Sequence, residues 1–220
     1  MTRQELARLL DHSVLKPEAT LDDIRSGFDA ARALGVGFYC VQPYWVQRAA
    51  EALAGSDTHV VSVVGFPHGC DSADVKAHAA ATAVADGARE IDTVMNFGAL
   101  RSGAIADAVA DVAAVVRAVP GIPVKVILES AALDDAHKRL ACRIALDAGA
   151  AFVKTSTGFH PSGGATVHDV HLMRATVGAG TGVKASGGIR TLDDVRAMLD
   201  AGANRIGTSA SAAILAALEV

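Results

Sequence analysis

Two lysines sit where a strand lysine is expensive. Lys154 lies in Ala-Ala-Phe-Val-Lys-Thr-Ser-Thr-Gly and Lys184 in Gly-Val-Lys-Ala-Ser-Gly-Gly, each inside a short apolar run. Side chains alternate along a strand, so Phe152, Lys154 and Ser156 share one face, and Gly182, Lys184 and Ser186 share the equivalent face of the next strand. Neighbouring strands are about 4.8 Å apart, so two inward lysines at matching heights come close together. Each ammonium then disfavours the other's protonation, and with partial burial one pKa falls towards neutrality, releasing an amine that attacks carbonyls. An isolated strand lysine more often snorkels than catalyses. The pair resists that explanation, because burying like charges costs stability without compensation.

Asp92, in Glu-Ile-Asp-Thr-Val-Met-Asn, shares a face with Glu90 and Val94 two strands before Lys154. It is equally a proton-passing partner of the lysines or one half of an ordinary buried ion pair; Lys125, on the intervening strand, is the ion-pair partner and ranks behind the reacting groups. Cys40 ends a strand and faces the same region, although a buried inert thiol is the commoner fate. Gly187-Gly188 and Gly207-Thr208-Ser209 follow strands, where bare N–H groups and hydroxyls close around an oxyanion, and phosphate is the better reading for both. Gly163-Gly164 reads as a flexible loop. His168 and His171 are three apart without a third ligand, so no metal is expected and the histidines are assigned to surface or loop. Tyr44 and Trp45, after Pro43, are expected to pack their loop.

These groups need a frame. Short β-branched runs recur at 11–14, 37–41, 59–65, 89–95, 123–128, 150–155, 181–185 and 204–208, separated by Ala-rich amphipathic stretches such as Ala73–Asp86, Ile105–Ala118, Leu133–Ala148 and Leu192–Ala201. Gly87, Gly149 and Gly202 mark the same helix-to-strand turn three times, and Thr191 precedes two aspartates as a helix N-cap. Eight βα units predict an α/β fold, a single closed (β/α)8 (TIM) barrel spanning residues 1–220, with the chemistry at the C-terminal ends of its strands. The weak strand is 11–14; without it an open sheet of seven strands remains.

Composition narrows the function further. With 220 residues, 51% of them hydrophobic, and a net charge of -4, disorder and generic nucleic-acid binding are excluded. Three cysteines without paired spacing argue against disulfides and for the reducing cytoplasm. The charged start is no signal peptide, and no apolar run is long enough to span a bilayer. The high apolar content fits a homo-oligomer, a dimer or tetramer.

The segments Leu10-Asp-His-Ser-Val-Leu-Lys-Pro-Glu-Ala-Thr20, Glu90-Ile-Asp-Thr-Val-Met-Asn96, Phe152-Val-Lys-Thr-Ser-Thr-Gly158, Gly182-Val-Lys-Ala-Ser-Gly-Gly-Ile-Arg-Thr191 and Arg205-Ile-Gly-Thr-Ser209 closely resemble the deoxyribose-phosphate aldolase family, in order and spacing, from Leu10 to Ala213. The resemblance implies a cofactor-free, metal-free class I aldolase of deoxyribose phosphate catabolism. Its substrates would be a small phosphosugar and aldehydes: 2-deoxy-D-ribose 5-phosphate, D-glyceraldehyde 3-phosphate and acetaldehyde. It implies Lys154 as the Schiff-base lysine, Lys184 as the group that depresses its pKa, Asp92 as acid/base through water and Asp11 as support for that relay. Gly158 joins the phosphate-binding glycines on the same ground. Three departures stand out: Ala210 where many members have a second serine, Phe159 where some have a lysine, and an end at Val220 without the long tail and terminal tyrosine of some members. A phosphosugar-binding barrel without turnover, and a ketose-cleaving or transaldolase-like Schiff-base enzyme, are the competing readings.

Overall fold

The computed structural model describes residues 1–218; Glu219 and Val220, on which the short-tail expectation falls, lie outside the described residues. The strands are β1 Leu10–Val14, β2 Phe38–Val41, β3 His59–Val64, β4 Glu90–Val94, β5 Val124–Ile127, β6 Phe152–Lys154, β7 Gly182–Ser186 and β8 Arg205–Thr208. Each pairs in parallel with the next, and β1 also pairs with β8, so the sheet is a closed barrel. The weak strand is therefore the closing one: Leu10 stands opposite Ile206 and Asp11 opposite Phe38. The open-sheet alternative falls with it.

The helices are α1 Arg3–Leu9, α2 Leu21–Leu34, α3 Val46–Ala52, α4 Ala73–Ala85, α5 Phe97–Arg101, α6 Ile105–Ala118, α7 Asp135–Asp147, α8 Val167–Val177, α9 Leu192–Asp200 and α10 Ser211–Ala216. At the start of α9, the Asp194 N–H donates to Thr191 Oγ1 at 3.1 Å while Thr191 N–H donates to the Asp194 carboxylate at 2.9 Å, a reciprocal cap. The α7 helix begins two residues later than the apolar pattern suggests, because Asp134 caps it by accepting from the His137 N–H after a 3-10 turn at Ser130–Ala132. Gly87, Gly149 and Gly202 have φ of 109°, 82° and 108°, the conformation their helix-to-strand turns demand.

Most of the apolar core lies between sheet and helices, where Ile91, Val126, Val153 and Val183 meet Val112, Cys142 and Val170. Inside the barrel a smaller apolar group, Cys40, Val61 and Val63, leaves the remaining space to charged side chains. Gly182 makes room at the barrel's lower end: a Cβ there would fall 2.1 Å from the Phe152 ring. We expect Gly182→Ala to cost about 1–3 kcal/mol through overpacking, read as a lowered urea midpoint. An unchanged midpoint would mean that Phe152 can swing aside.

Candidate active site

The register places Lys154 directly opposite Lys184 across the β6–β7 pair, and Asp92 opposite Lys125 across β4–β5. The two lysines of β6 and β7 converge on one atom. Lys154 Nζ donates to Asp92 Oδ2 at 2.7 Å and Lys184 Nζ donates to the same oxygen at 2.8 Å. Lys184 also donates to the Asp11 carboxylate of β1, which lies on the other side of β8. Lys125 Nζ takes the other Asp92 oxygen at 2.7 Å and pairs with Glu90 at 2.6 Å, and Arg205 pairs with Glu90 at 2.9 Å. All seven side chains are buried. Asp92 thus forms the buried ion pair with Lys125 and also touches both other lysines.

The charges inside the barrel do not balance when every group is ionised. Asp11, Glu90 and Asp92 face Lys125, Lys154, Lys184 and Arg205. Lys154 is the least compensated, since among the described residues its one carboxylate contact is an oxygen already shared with Lys184. Burial pushes its pKa down; Asp92 opposes this and Lys184 adds to it, leaving the amine below the ordinary lysine value. Burial also acts against the charge on Lys184, but Asp11 and Asp92 overcome it and raise its pKa. For Asp92, burial favours the acid and is outweighed by Lys125, Lys154 and Lys184, which hold the carboxyl well below its usual range. The expected pressure between the lysines acts on Lys154 alone, where desolvation is the larger cause; on Lys184 the carboxylates prevail.

These amines open into a cavity of about 850 Å³ whose wall includes Asp11, Cys40, Lys154, Lys184 and the loops after β6, β7 and β8. Gly158, Gly187, Gly188, Gly207, Thr208 and Ser209 all line it. Among the described residues, the N–H groups of Gly158, Gly187, Gly188 and Ser209 have no acceptor. Thr208 is different, because its hydroxyl donates to the Ile189 carbonyl at 2.8 Å and accepts from the Ala210 N–H at 2.9 Å. It ties the β8 loop to the β7 loop, and its hydroxyl is already engaged. Gly207 has a packing reason of its own: a Cβ there would sit 3.1 Å from Lys184 Cε and 2.9 Å from Ser186 Cβ. Gly164 is no flexible-loop residue, since a Cβ would come within 2.2 Å of the Gly187 carbonyl oxygen; the two backbones cross.

Sequence reasoning missed several neighbours. Arg190 and Lys16 bring cations to the cavity beside the glycine pair. Glu129 has φ 54° and a buried carboxylate that accepts from Thr157 Oγ1 at 2.6 Å and Thr157 N–H at 3.3 Å, fixing the loop after Lys154. The signal was there, an acidic residue ending the apolar run Val-Lys-Val-Ile-Leu-Glu. His12 is buried on β1 with Nδ1 3.0 Å from Ser211 Oγ, against its assignment to surface or loop. The fold does bring Asp135 and Asp169 to His168, but the Lys138 ammonium already occupies the cation position, 2.6 Å from Asp169. Tyr44 is 73% exposed, edge-on to Trp45 and beside the Arg48 guanidinium, while Trp45 is partly buried against the core. Phe159 lies at the cavity mouth, edge-on to Phe66 with ring centroids 5.3 Å apart.

A family model described as DeoC/LacD family aldolase matches residues 6–217. The chain belongs to this aldolase family. It is 54% identical over 218 residues to a deoxyribose-phosphate aldolase of Mycobacterium avium, covering 97% of each chain. It is 50% identical over 215 residues to a deoxyribose-phosphate aldolase of Corynebacterium diphtheriae, again covering 97% of each. Among solved structures, a tetrameric deoxyribose phosphate aldolase from Aeropyrum pernix superposes with a TM-score of 0.90 at 31% identity, over 99% of this chain and 92% of that one. Among the described residues no helix is long and apolar enough to cross a membrane.

Cys40 shares the cavity with the two lysines, yet burial, with Asp11 and Asp92 nearby, pushes its thiol up to about 12. Burial raises Cys142 to about 12 as well, whereas Cys70 is exposed. With a thiolate fraction of about one in ten thousand at pH 8, Cys40 should be inert. Iodoacetamide at that pH is expected to label native protein at Cys70 alone, by peptide mass spectrometry. Rapid labelling of Cys40 would contradict this account of the cavity's electrostatics.

Proposed function

We propose that this protein is a class I aldolase that reversibly cleaves 2-deoxy-D-ribose 5-phosphate to D-glyceraldehyde 3-phosphate and acetaldehyde, through a Schiff base on Lys154. The observation that carries the reading is the position of Lys154, a cavity-lining lysine whose carboxylate contact, Asp92 Oδ2, is shared with Lys184. Family membership and close relatives named for this activity support it.

The neutral Lys154 amine adds to the C1 aldehyde of the open-chain sugar, and loss of water leaves an iminium. The C2–C3 bond, β to that iminium carbon, then breaks; its electron pair becomes the enamine and the C3 hydroxyl gives up its proton as glyceraldehyde 3-phosphate forms. Protonation of the enamine at C2 and hydrolysis return acetaldehyde and free lysine. The iminium is the electron sink, so the reaction as written calls for no metal or cofactor. Asp92, with both oxygens engaged by three ammonium groups, serves as a charge anchor more readily than as a base. Proton traffic runs through water to the Lys184–Asp11 pair, where Asp11 Oδ1 is an acceptor oxygen without a partner among the described residues. The free amides of Gly158, Gly187, Gly188 and Ser209, with Arg190, form the phosphate cradle, which turns remote binding into positioning of C2 and C3 at the lysine. Gly207 and Thr208 shape that cradle. A homo-oligomer in the cytoplasm, acting in deoxyribose phosphate catabolism, fits three unpaired cysteines and a tetrameric relative.

Borohydride reduction in the presence of acetaldehyde should leave an irreversible adduct on the Lys154 peptide, and Lys154→Ala should abolish both adduct and turnover. A variant that still turns over would refute the assignment. Acetaldehyde, and not dihydroxyacetone phosphate, should act as donor; the reverse would favour a ketose-cleaving enzyme, and phosphate binding without any adduct a non-catalytic barrel.

Lys184→Leu tests the coupling. It strips one cation from Asp11 and Asp92, so their uncompensated charge raises the Lys154 pKa, and the acid limb of kcat/KM moves to higher pH by about one unit. At pH 7 turnover should fall at least about tenfold, with partial recovery in alkali. Near-normal kcat at neutral pH in a folded variant would disprove it.

A further inference from the structure

At the end of the barrel away from the cavity, Glu90 and Arg205 are the first residues of β4 and β8 and meet across the interior. Neither is reached by substrate in the proposed reaction, yet both are buried and charged, a costly arrangement unless compensated. We propose that Glu90 and Arg205 are positioning residues for the Lys154 amine: their pair completes a ladder of contacts through Lys125 and Asp92 that leaves Lys154, among the described residues, with a single carboxylate oxygen that it shares with Lys184. This rests on the reading of Lys154 as the reacting amine.

The ladder is continuous. Arg205 Nη1 donates to Glu90 Oε2 at 2.9 Å, Lys125 Nζ joins Glu90 and Asp92 at 2.6 and 2.7 Å, and Asp92 Oδ2 receives Lys154 at 2.7 Å. The groups facing each end are few. Arg205 meets Glu90 and lies 3.4 Å from the centroid of Phe38 and 5.1 Å from that of Phe152, with His59 on β3 behind Phe38. Lys154 meets Asp92 from β4, Lys184 from β7 and the neutral Cys40 thiol from β2, with Asp11 of β1 beyond Lys184. With Lys154 unprotonated, the anions Asp11, Glu90 and Asp92 match the cations Lys125, Lys184 and Arg205. With Lys154 charged, one positive charge is in surplus. Removing Glu90's charge therefore makes protonation of Lys154 harder, and removing Arg205's charge makes it easier. Two unit charges about 10 Å apart at an effective dielectric constant of about 20 interact by an amount equal to about one pH unit.

The test reads the pH dependence of Lys154 acetylation by acetic anhydride, quantified by peptide mass spectrometry, which needs no turnover. In Glu90→Gln the labelling midpoint should move down by about one pH unit, and in Arg205→Met up by about the same. Arg205→Lys, which keeps the charge, should hold the parent midpoint. The double variant E90Q/R205M, which buries no lone charge, should also return to it. If a single variant fails to fold, the other single variant and the double decide. Midpoints that stay put, or that move in the same direction in both single variants, overturn the proposal, because packing damage alone would not displace them with opposite signs. Borohydride trapping of the parent separates the two ideas: an intact Lys154 adduct with unmoved midpoints removes the ladder and leaves the aldolase, whereas displaced midpoints without an adduct do the reverse.

Discussion

One oxygen atom organises the barrel interior. Asp92 Oδ2 accepts from Lys154 and Lys184 together, and the carboxylate's other oxygen is taken by Lys125. A carboxylate that deep in the protein would favour its neutral form, and only three surrounding ammonium groups reverse that preference. The converse holds for the lysines. Each loses hydration on entering the barrel and depends on shared carboxylate oxygen to recover it, and there is too little to satisfy them all. The shortage falls on Lys154, whose pKa lies below the ordinary lysine value.

Much of this centre was legible because strand periodicity acts locally. A period of two puts Lys154 and Lys184 on inward faces, and the parallel register then sets them side by side. The same logic carries Asp92 and Lys125. What local pattern cannot supply is contact across the barrel. Asp11 and Lys184 are 173 residues apart and meet only because β1 closes against β8. Glu90 and Arg205, 115 residues apart, belong to strands on opposite sides. The run Asp-His-Ser-Val within β1 is short and mostly polar, so the element that closes the barrel was the weakest to read.

The proposed phosphate cradle shows a different limit. Glycine and hydroxyl types after a strand identify the region, but not which atoms remain free once the loops have bonded to each other. Thr208 spends its hydroxyl on Ile189 and Ala210, while Ser209 beside it keeps a free amide. Gly207 and Gly164 are small because Lys184 and the Gly187 backbone pass close by. Glu129 shows the same limit: an acid ending an apolar run marks the position, but its importance lies in bonds to Thr157, 28 residues away, and in a left-handed backbone that no composition rule assigns to glutamate.

The asymmetry between the two central lysines follows from barrel closure. Lys154 and Lys184 occupy the same register, are buried to nearly the same extent and touch the same Asp92 oxygen. Strand position alone would make them interchangeable. The difference is Asp11, delivered by the closing strand to Lys184 and not to Lys154. With that carboxylate, Lys184 stays charged; without one, Lys154 yields its proton first. The choice of proposed nucleophile is therefore made by chain topology. An open sheet with the same lysine strands would leave Lys184 as poorly compensated as its neighbour, and neither amine would be singled out.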